Sequence, residues 1–231
     1  MDEEIRILID LRGVIQKSRI AFGNRISAIE RGADDGGSGA NALYDRWSMR
    51  FYELEEALDK DIAKLVMDYE IVDYMTDIKG IGPMISAKIV CMIDITRADT
   101  VSALWRYCGY GLIDDKCERP VKGEKLHYNK RLKTACYLAG SSFLKSNSPY
   151  RAIYDEARVY YETNRPDWTK LHQHNASMRK MIKLFLAHLW VVWRTLENLP
   201  VREPYVIEKM QHTHCIRPEL FGWKSPAKID E

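Results

Sequence analysis

Gly80 and Gly82, separated by one isoleucine and followed by Pro83, are the residues of this chain best suited to chemistry with an anion. They lie in Ile78-Lys-Gly-Ile-Gly-Pro-Met-Ile-Ser-Ala-Lys-Ile89. Glycine takes positive φ without steric cost and leaves its backbone bare. The peptide amides between Lys79 and Met84, those of Gly80, Ile81 and Gly82 included, can therefore approach a phosphate closely. Pro83 suits a first helical turn because its missing N–H would have been unpaired there. The helix behind it offers free donors and the positive end of its dipole. In this reading Ile78, Ile81, Ile85 and Ile89 anchor two short helices from beneath, while Lys79, Ser86 and Lys88 take the phosphate-facing side. Such contacts carry no base information, so binding to duplex DNA is expected to be independent of sequence and sensitive to salt. A plain tight turn between packed helices uses the same residues, and the motif by itself does not separate the two.

A second cationic stretch runs from Lys116 to Lys133. There Lys116, Arg119, Lys122, Lys125, Lys130, Arg131 and Lys133 are opposed only by Glu118 and Glu124. A solvated basic loop leading into a helix accounts for it, and so does a second phosphate-contacting surface adjacent to the hairpin, with His127 and Tyr128 adding polar or stacking contacts. The net charge of the whole chain is only +2, so the case rests on local charge. His172, His174 and His188, and the tail group His212, His214 and Cys215, match no standard zinc spacing, and no metal or cofactor is expected. Trp190 and Trp193 lie beside an apolar stripe and read as core. The cysteines, Cys91, Cys108, Cys117, Cys136 and Cys215, are odd in number and contain no CxxC pair, which points to free thiols.

The elements that must position these residues read as helices throughout. Leu8, Leu11, Ile15, Phe22, Ile26 and Ile29 recur at helical spacing, then residues 32–41 carry a glycine-rich flexible linker. Leu43, Trp47, Phe51, Leu54, Leu58, Ile62, Leu65 and Tyr69 follow at heptad steps. That helix would reach about 40 Å and needs a partner along its length. The first helix folded back, or a second copy of the chain, would serve. Beyond Ile71 the helices shorten and are broken by glycines, with Thr100 capping Val101 to Cys108, until a long helix spans Lys170 to Leu196. The expected architecture is all-α: a coiled-coil-like helical arm over 1–70, a compact helix-hairpin-helix domain over 71–199, and an irregular tail over 200–231 that packs on the body or on a partner. No apolar run approaches the roughly 18 residues of a membrane span, and the acidic N-terminus does not look like a secretory signal. The expectation is an intracellular, nucleoid-associated protein that self-associates through the arm.

In the order of its parts the chain resembles the C-terminal half of the DEDD/RuvC-like insertion-sequence transposases, the Piv-like recombinases. The blocks that carry the likeness are Arg6 to Ile29, Tyr44 to Val66, Ile78-Lys-Gly-Ile-Gly-Pro83, Leu104-Trp-Arg-Tyr-Cys-Gly-Tyr-Gly-Leu112, the basic segment to Leu132, and Ser148-Pro-Tyr-Arg-Ala-Ile-Tyr154 with its downstream helix. The resemblance implies double-stranded DNA as partner, with structured RNA as the other ligand associated with that half. Two departures bear on activity. The four metal-binding carboxylates of the family's nuclease domain have no counterpart here. The serine nucleophile that the family carries after the Gly-Leu block is also absent, since no serine lies between Ser102 and Ser141. Cys117 could stand in for it, but a solvated loop thiol is the simpler reading. The expectation is a non-catalytic DNA-binding protein, the alternative being the nucleic-acid-binding subunit of a split recombinase.

Overall fold

The computed structural model describes residues 3–33, 40–112, 117–118, 120–202 and 216–224. Among them the ordered elements are α-helices and two short 3-10 turns, with no strand. This is the all-α class that the apolar spacing indicates. The chain divides into two compact units, Met1–Asp68 and Tyr69–Glu231. No helix among the described residues is long and apolar enough to cross a membrane.

The first unit is a hairpin of α1 (Glu3–Glu30) and α2 (Ala40–Val66). The two run antiparallel, because partners of successive α1 residues step backwards along α2. Arg12 meets Asp59, Arg19 meets Glu55, and Phe22 meets Phe51 and Tyr44 edge-on at 5.4 and 5.3 Å. Fold-back is therefore realised, yet it does not use up the apolar stripes. Ile7, Leu11 and Val14 on α1 and Leu43, Trp47 and Leu54 on α2 remain exposed. The heptad run continues to Tyr69 in sequence, but α2 stops at Val66 because Tyr69 becomes the N-cap of the next helix.

The second unit is built around α8 (Lys170–Leu196), packed by α3 (Glu70–Asp77), α5 (Val101–Tyr107), α6 (Lys130–Ser146) and α7 (Arg151–Asn164), with α4 (Pro83–Val90) lying on α3 and α6. Thr169 caps α8 by accepting from the His172 amide at 3.2 Å, and Thr100 caps α5 through the Ala103 amide at 3.1 Å. From Met178 onward α8 is buried on nearly every face, as a helix at the centre of a domain must be. Gly140 lets α6 approach closely, since a Cβ there would lie 2.8 Å from the Ile182 side chain. Trp190 donates to the Ala98 carbonyl at 2.6 Å, and Arg194 donates to the Ile95 and Ala98 carbonyls at 3.1 Å. Trp190 and Trp193 are both core residues.

The segment Ile216 to Lys224 packs on this body. Phe221 stacks on Tyr150 at 4.4 Å, and the Ile216 carbonyl lies 2.8 Å from Nε2 of buried His188. A carbonyl only accepts, so Nε2 carries the proton and Nδ1 accepts from the Tyr150 hydroxyl at 2.7 Å. Burial lowers the His188 pKa, opposed by the Ile216 carbonyl and by Glu219. An unfolded histidine titrates near about 6.5, so the unfolded chain takes up this proton first as pH falls. The stability linked to neutral His188 is thus present above about pH 6.5 and lost as pH drops through the lower folded value. Between about pH 7.5 and about pH 5.5 the urea midpoint of the parent should fall more than that of His188→Gln. Parallel pH profiles would contradict this.

Candidate nucleic-acid interface

The α3–α4 connection is a tight hairpin. Helix α3 ends at Asp77, the Ile81 amide donates back to the Ile78 carbonyl at 2.9 Å, and Gly80 takes φ +102. Gly82 is the N-cap of α4, with Pro83 opening the first turn. Ile78, Ile81 and Ile89 are buried and Ile85 half-buried, so the aliphatic anchors lie largely where their spacing puts them.

The two glycines turn out to do different work. Gly80 is pressed against α6: a Cβ there would sit 2.4 Å from Ser146 Oγ and 3.0 Å from the Ser142 carbonyl. Ser142 donates its hydroxyl to the Gly80 carbonyl, and Ser146 donates to the Lys79 carbonyl at 3.1 Å. These serines hold the hairpin by its carbonyls and leave its amides alone. Gly82 has extended backbone, and a Cβ there would meet nothing within 4 Å. The backbone bonds of the hairpin use the amides of Ile81, Ile85 and Ser86, while those of Gly82 and Met84 have no partner among the described residues. Bare amides at the mouth of a helix, on an open flank, are the geometry an anion uses.

Other expected contacts are redistributed. Ser86 is 0% exposed and donates its hydroxyl to the Gly82 carbonyl at 3.2 Å, so it is a buried back-bonding residue and not a phosphate ligand. The amide of Ile81 is likewise spent within the turn. Lys79 is exposed; Lys88, in the last turn of α4, is half-buried and engaged within the chain. Glu70 and Asp77, the acidic residues at the two ends of α3, line a cavity with Ile78, Trp223 and Lys224.

In the basic segment, Lys122, Lys125, Lys130 and Arg131 are exposed, whereas Lys133 is half-buried with its ammonium 4.4 Å from the Tyr128 ring centre. Lys116 and Arg119 lie outside the described residues. Asn129 caps α6 by accepting from the Arg131 and Leu132 amides at 3.0 and 3.1 Å. His127 is fixed by Glu118, whose pKa is lowered first by the His127 amide and also by its ring. Proximity in sequence suggests a surface adjacent to the hairpin, but the basic segment feeds the start of α6 while the hairpin docks at its end. At 1.5 Å per residue these lie about 20 Å apart. The cations therefore form two separate patches joined by one helix.

No family model, no curated protein and no solved structure matches this chain. The likeness to a transposase half rests on its sequence blocks alone.

Sequence reasoning passed over Arg179. It projects from α8, 62 residues from Cys117 in sequence, and donates to Cys117 Sγ at 3.3 Å and to the carbonyls of Tyr110 and Gly111. The three histidines of α8 have unrelated settings: His188 in the core, His174 against the Tyr154 hydroxyl at 2.7 Å, and His172 stacked on Trp168 with ring centres 3.9 Å apart. Among the described residues no group of three His, Cys, Asp or Glu is arranged to hold a metal ion. His212, His214 and Cys215 lie outside the described residues.

Proposed function

We propose that this chain is a non-catalytic DNA-binding protein, transposase-derived, that holds the phosphate backbone of a duplex at the α3–α4 hairpin. The observation that carries the reading is the pair of unpartnered amides, Gly82 and Met84, at the N-terminus of α4, beside open space where a Gly82 side chain would stand. Exposed Lys79 supplies charge beside them, and Lys122, Lys125, Lys130 and Arg131 supply a second patch about 20 Å away along α6. One duplex can meet both, since its phosphates recur along each strand. The exposed apolar residues of α1 and α2 support self-association of the arm, and residence on nucleoid DNA follows from the binding itself.

Backbone binding releases counterions, so log affinity for a duplex should fall steeply with log salt concentration. Lys79→Ala and Lys130→Ala should each reduce the slope by about 0.9 with little change in sequence preference. A flat slope in the parent sinks the proposal. Tighter binding of structured RNA in the same buffer would transfer it to RNA.

A second reading, the nucleic-acid-binding subunit of a split recombinase whose nuclease is another chain, is favoured by the exposed Cys117 thiol beside the Arg179 guanidinium. It requires a covalent protein–DNA product that survives denaturation and is absent in Cys117→Ala.

A further inference from the structure

A broad concavity of the second unit lies away from the hairpin, where α7 hands over to α8. Its volume is about 1080 Å³, and its lining includes Tyr161, Trp168, His172, Asn175 and Arg179. Three of these rings form a ladder. Tyr161 and Trp168 are stacked at 5.4 Å with 24° between planes, and Trp168 and His172 are parallel at 3.9 Å. A smaller cavity of about 410 Å³ shares Cys117, Asn175 and Arg179 with it and adds Lys133 and Tyr137. No acidic residue lines either cavity among the described residues. The exposed Lys130 and Arg131 stand within one helical turn of Lys133.

We infer that this cleft holds unpaired nucleotides of a DNA strand, their bases on the outer faces of Tyr161 and His172, the two ends of the ladder that Trp168 joins, and their phosphates on Arg179 and Lys133. The inference rests on the nucleic-acid reading above and names a second site for it. Flat π faces suit a nucleobase because every base has one, and stacking is tolerant of sequence. Asn175 offers both a donor and an acceptor to a base edge. Arg179 is braced by the carbonyls of Tyr110 and Gly111 through Nη2, which leaves its Nε–H for a phosphate oxygen. The volume of about 1080 Å³ lies just above the roughly 300–1,000 Å³ of ligand-sized sites, room for more than one base. Paired DNA cannot use the ladder, because its bases are already stacked on one another. The cleft therefore selects for opened, bubbled or single-stranded DNA, while the hairpin holds the paired part.

The test compares a fully paired duplex with the same duplex carrying a short unpaired bubble, and labels the bubble with a fluorescent adenine analogue that is quenched on stacking. The parent chain should bind the bubbled duplex about tenfold tighter and quench the label. Trp168→Ala should lose both the preference and the quenching while binding paired duplex as before, and Trp168→Phe should restore most of each. Asn175→Ala, at an exposed helix position where folding is not at stake, should reduce the preference as well. The inference is overturned if Trp168→Ala and Asn175→Ala keep the full preference, or if an RNA bubble of equal length binds tighter than DNA. The two sites fail separately. Gly82→Asp removes paired-duplex binding but not the quenching, so a chain that ignores paired duplex yet quenches through Trp168 keeps the cleft and discards the hairpin.

Discussion

Gly82→Asp should abolish binding of paired duplex at low salt while leaving the protein at least as stable as the parent. Gly82 has φ −109 and ψ 175, extended backbone that any residue adopts, and its Cβ would meet nothing within 4 Å. Aspartate is moreover a favoured N-cap residue, so its carboxylate would accept from the free amides of the first turn and stabilise α4 by roughly a few tenths of a kcal/mol over glycine. That gain is what destroys function, because the carboxylate takes the donors and fills the site with negative charge. Gly82→Asn separates the two effects: it caps without charge and should bind with intermediate affinity. Gly80→Asp is a different experiment. At φ +102 a side chain is strained, and its Cβ would overlap Ser146 Oγ and press on the Ser142 carbonyl. A cost of about 3 kcal/mol or more is expected from backbone strain and overpacking together. Fluorescence anisotropy with a labelled duplex reads the binding, and urea unfolding reads the stability. If Gly82→Asp binds as tightly as the parent, the amides of Gly82 and Met84 are not the phosphate site.

That contrast marks where sequence stops being legible. Periodicity located the helices well, because burying one face is a local requirement: α8 spans Lys170–Leu196 and α5 begins after its Thr100 cap, both as their patterns indicate. Capping and glycine chemistry are local too, and they marked the hairpin. The identity of each glycine's neighbour is not local. Gly80 meets Ser142 and Ser146, more than sixty residues on, and nothing in Gly-Ile-Gly-Pro says which of its two glycines a distant helix will cover. Ser86 reads as a ligand by type, but its place four residues after Gly82 lets it bond back into its own helix, where burial removes it from any ligand. The separation of the two basic patches is set by the length and direction of α6. The cleft joins Trp168, Arg179 and Lys133 only because α6 and α8 pack through Gly140, so its residues carry no common signature in one sequence.

The arm poses a question of the same kind, and Arg12→Ala answers it. Glu55 faces α1 from the middle of α2 and is only 4% exposed. Arg19 pairs with its Oε2, and Arg12 Nη2 stands 3.2 Å from its Oε1 without the alignment of a hydrogen bond. Arg12 is meanwhile held by Asp59 at 2.8 and 3.1 Å, and that bond is the first cause of its raised pKa. Removing Arg12 leaves the buried Glu55 carboxylate with Arg19 as its one remaining ion-pair partner, a change that costs about 1–3 kcal/mol. Urea unfolding followed by circular dichroism should show that loss. A destabilisation below about 0.5 kcal/mol would mean that water already reaches Glu55. Glu55→Met should behave oppositely, neutral or stabilising, because an apolar side chain fills the layer and Arg12 keeps Asp59. What it removes is register. A charged layer can align α1 on α2 in one way, whereas apolar stripes at heptad spacing tolerate a slip. With Leu11, Val14, Trp47 and Leu54 exposed on the same hairpin, a slipped arm presents a different face to a second copy. Sedimentation of Glu55→Met should then resolve a mixture of assemblies where the parent gives one, and a single unchanged species would assign the ion-paired layer to stability alone.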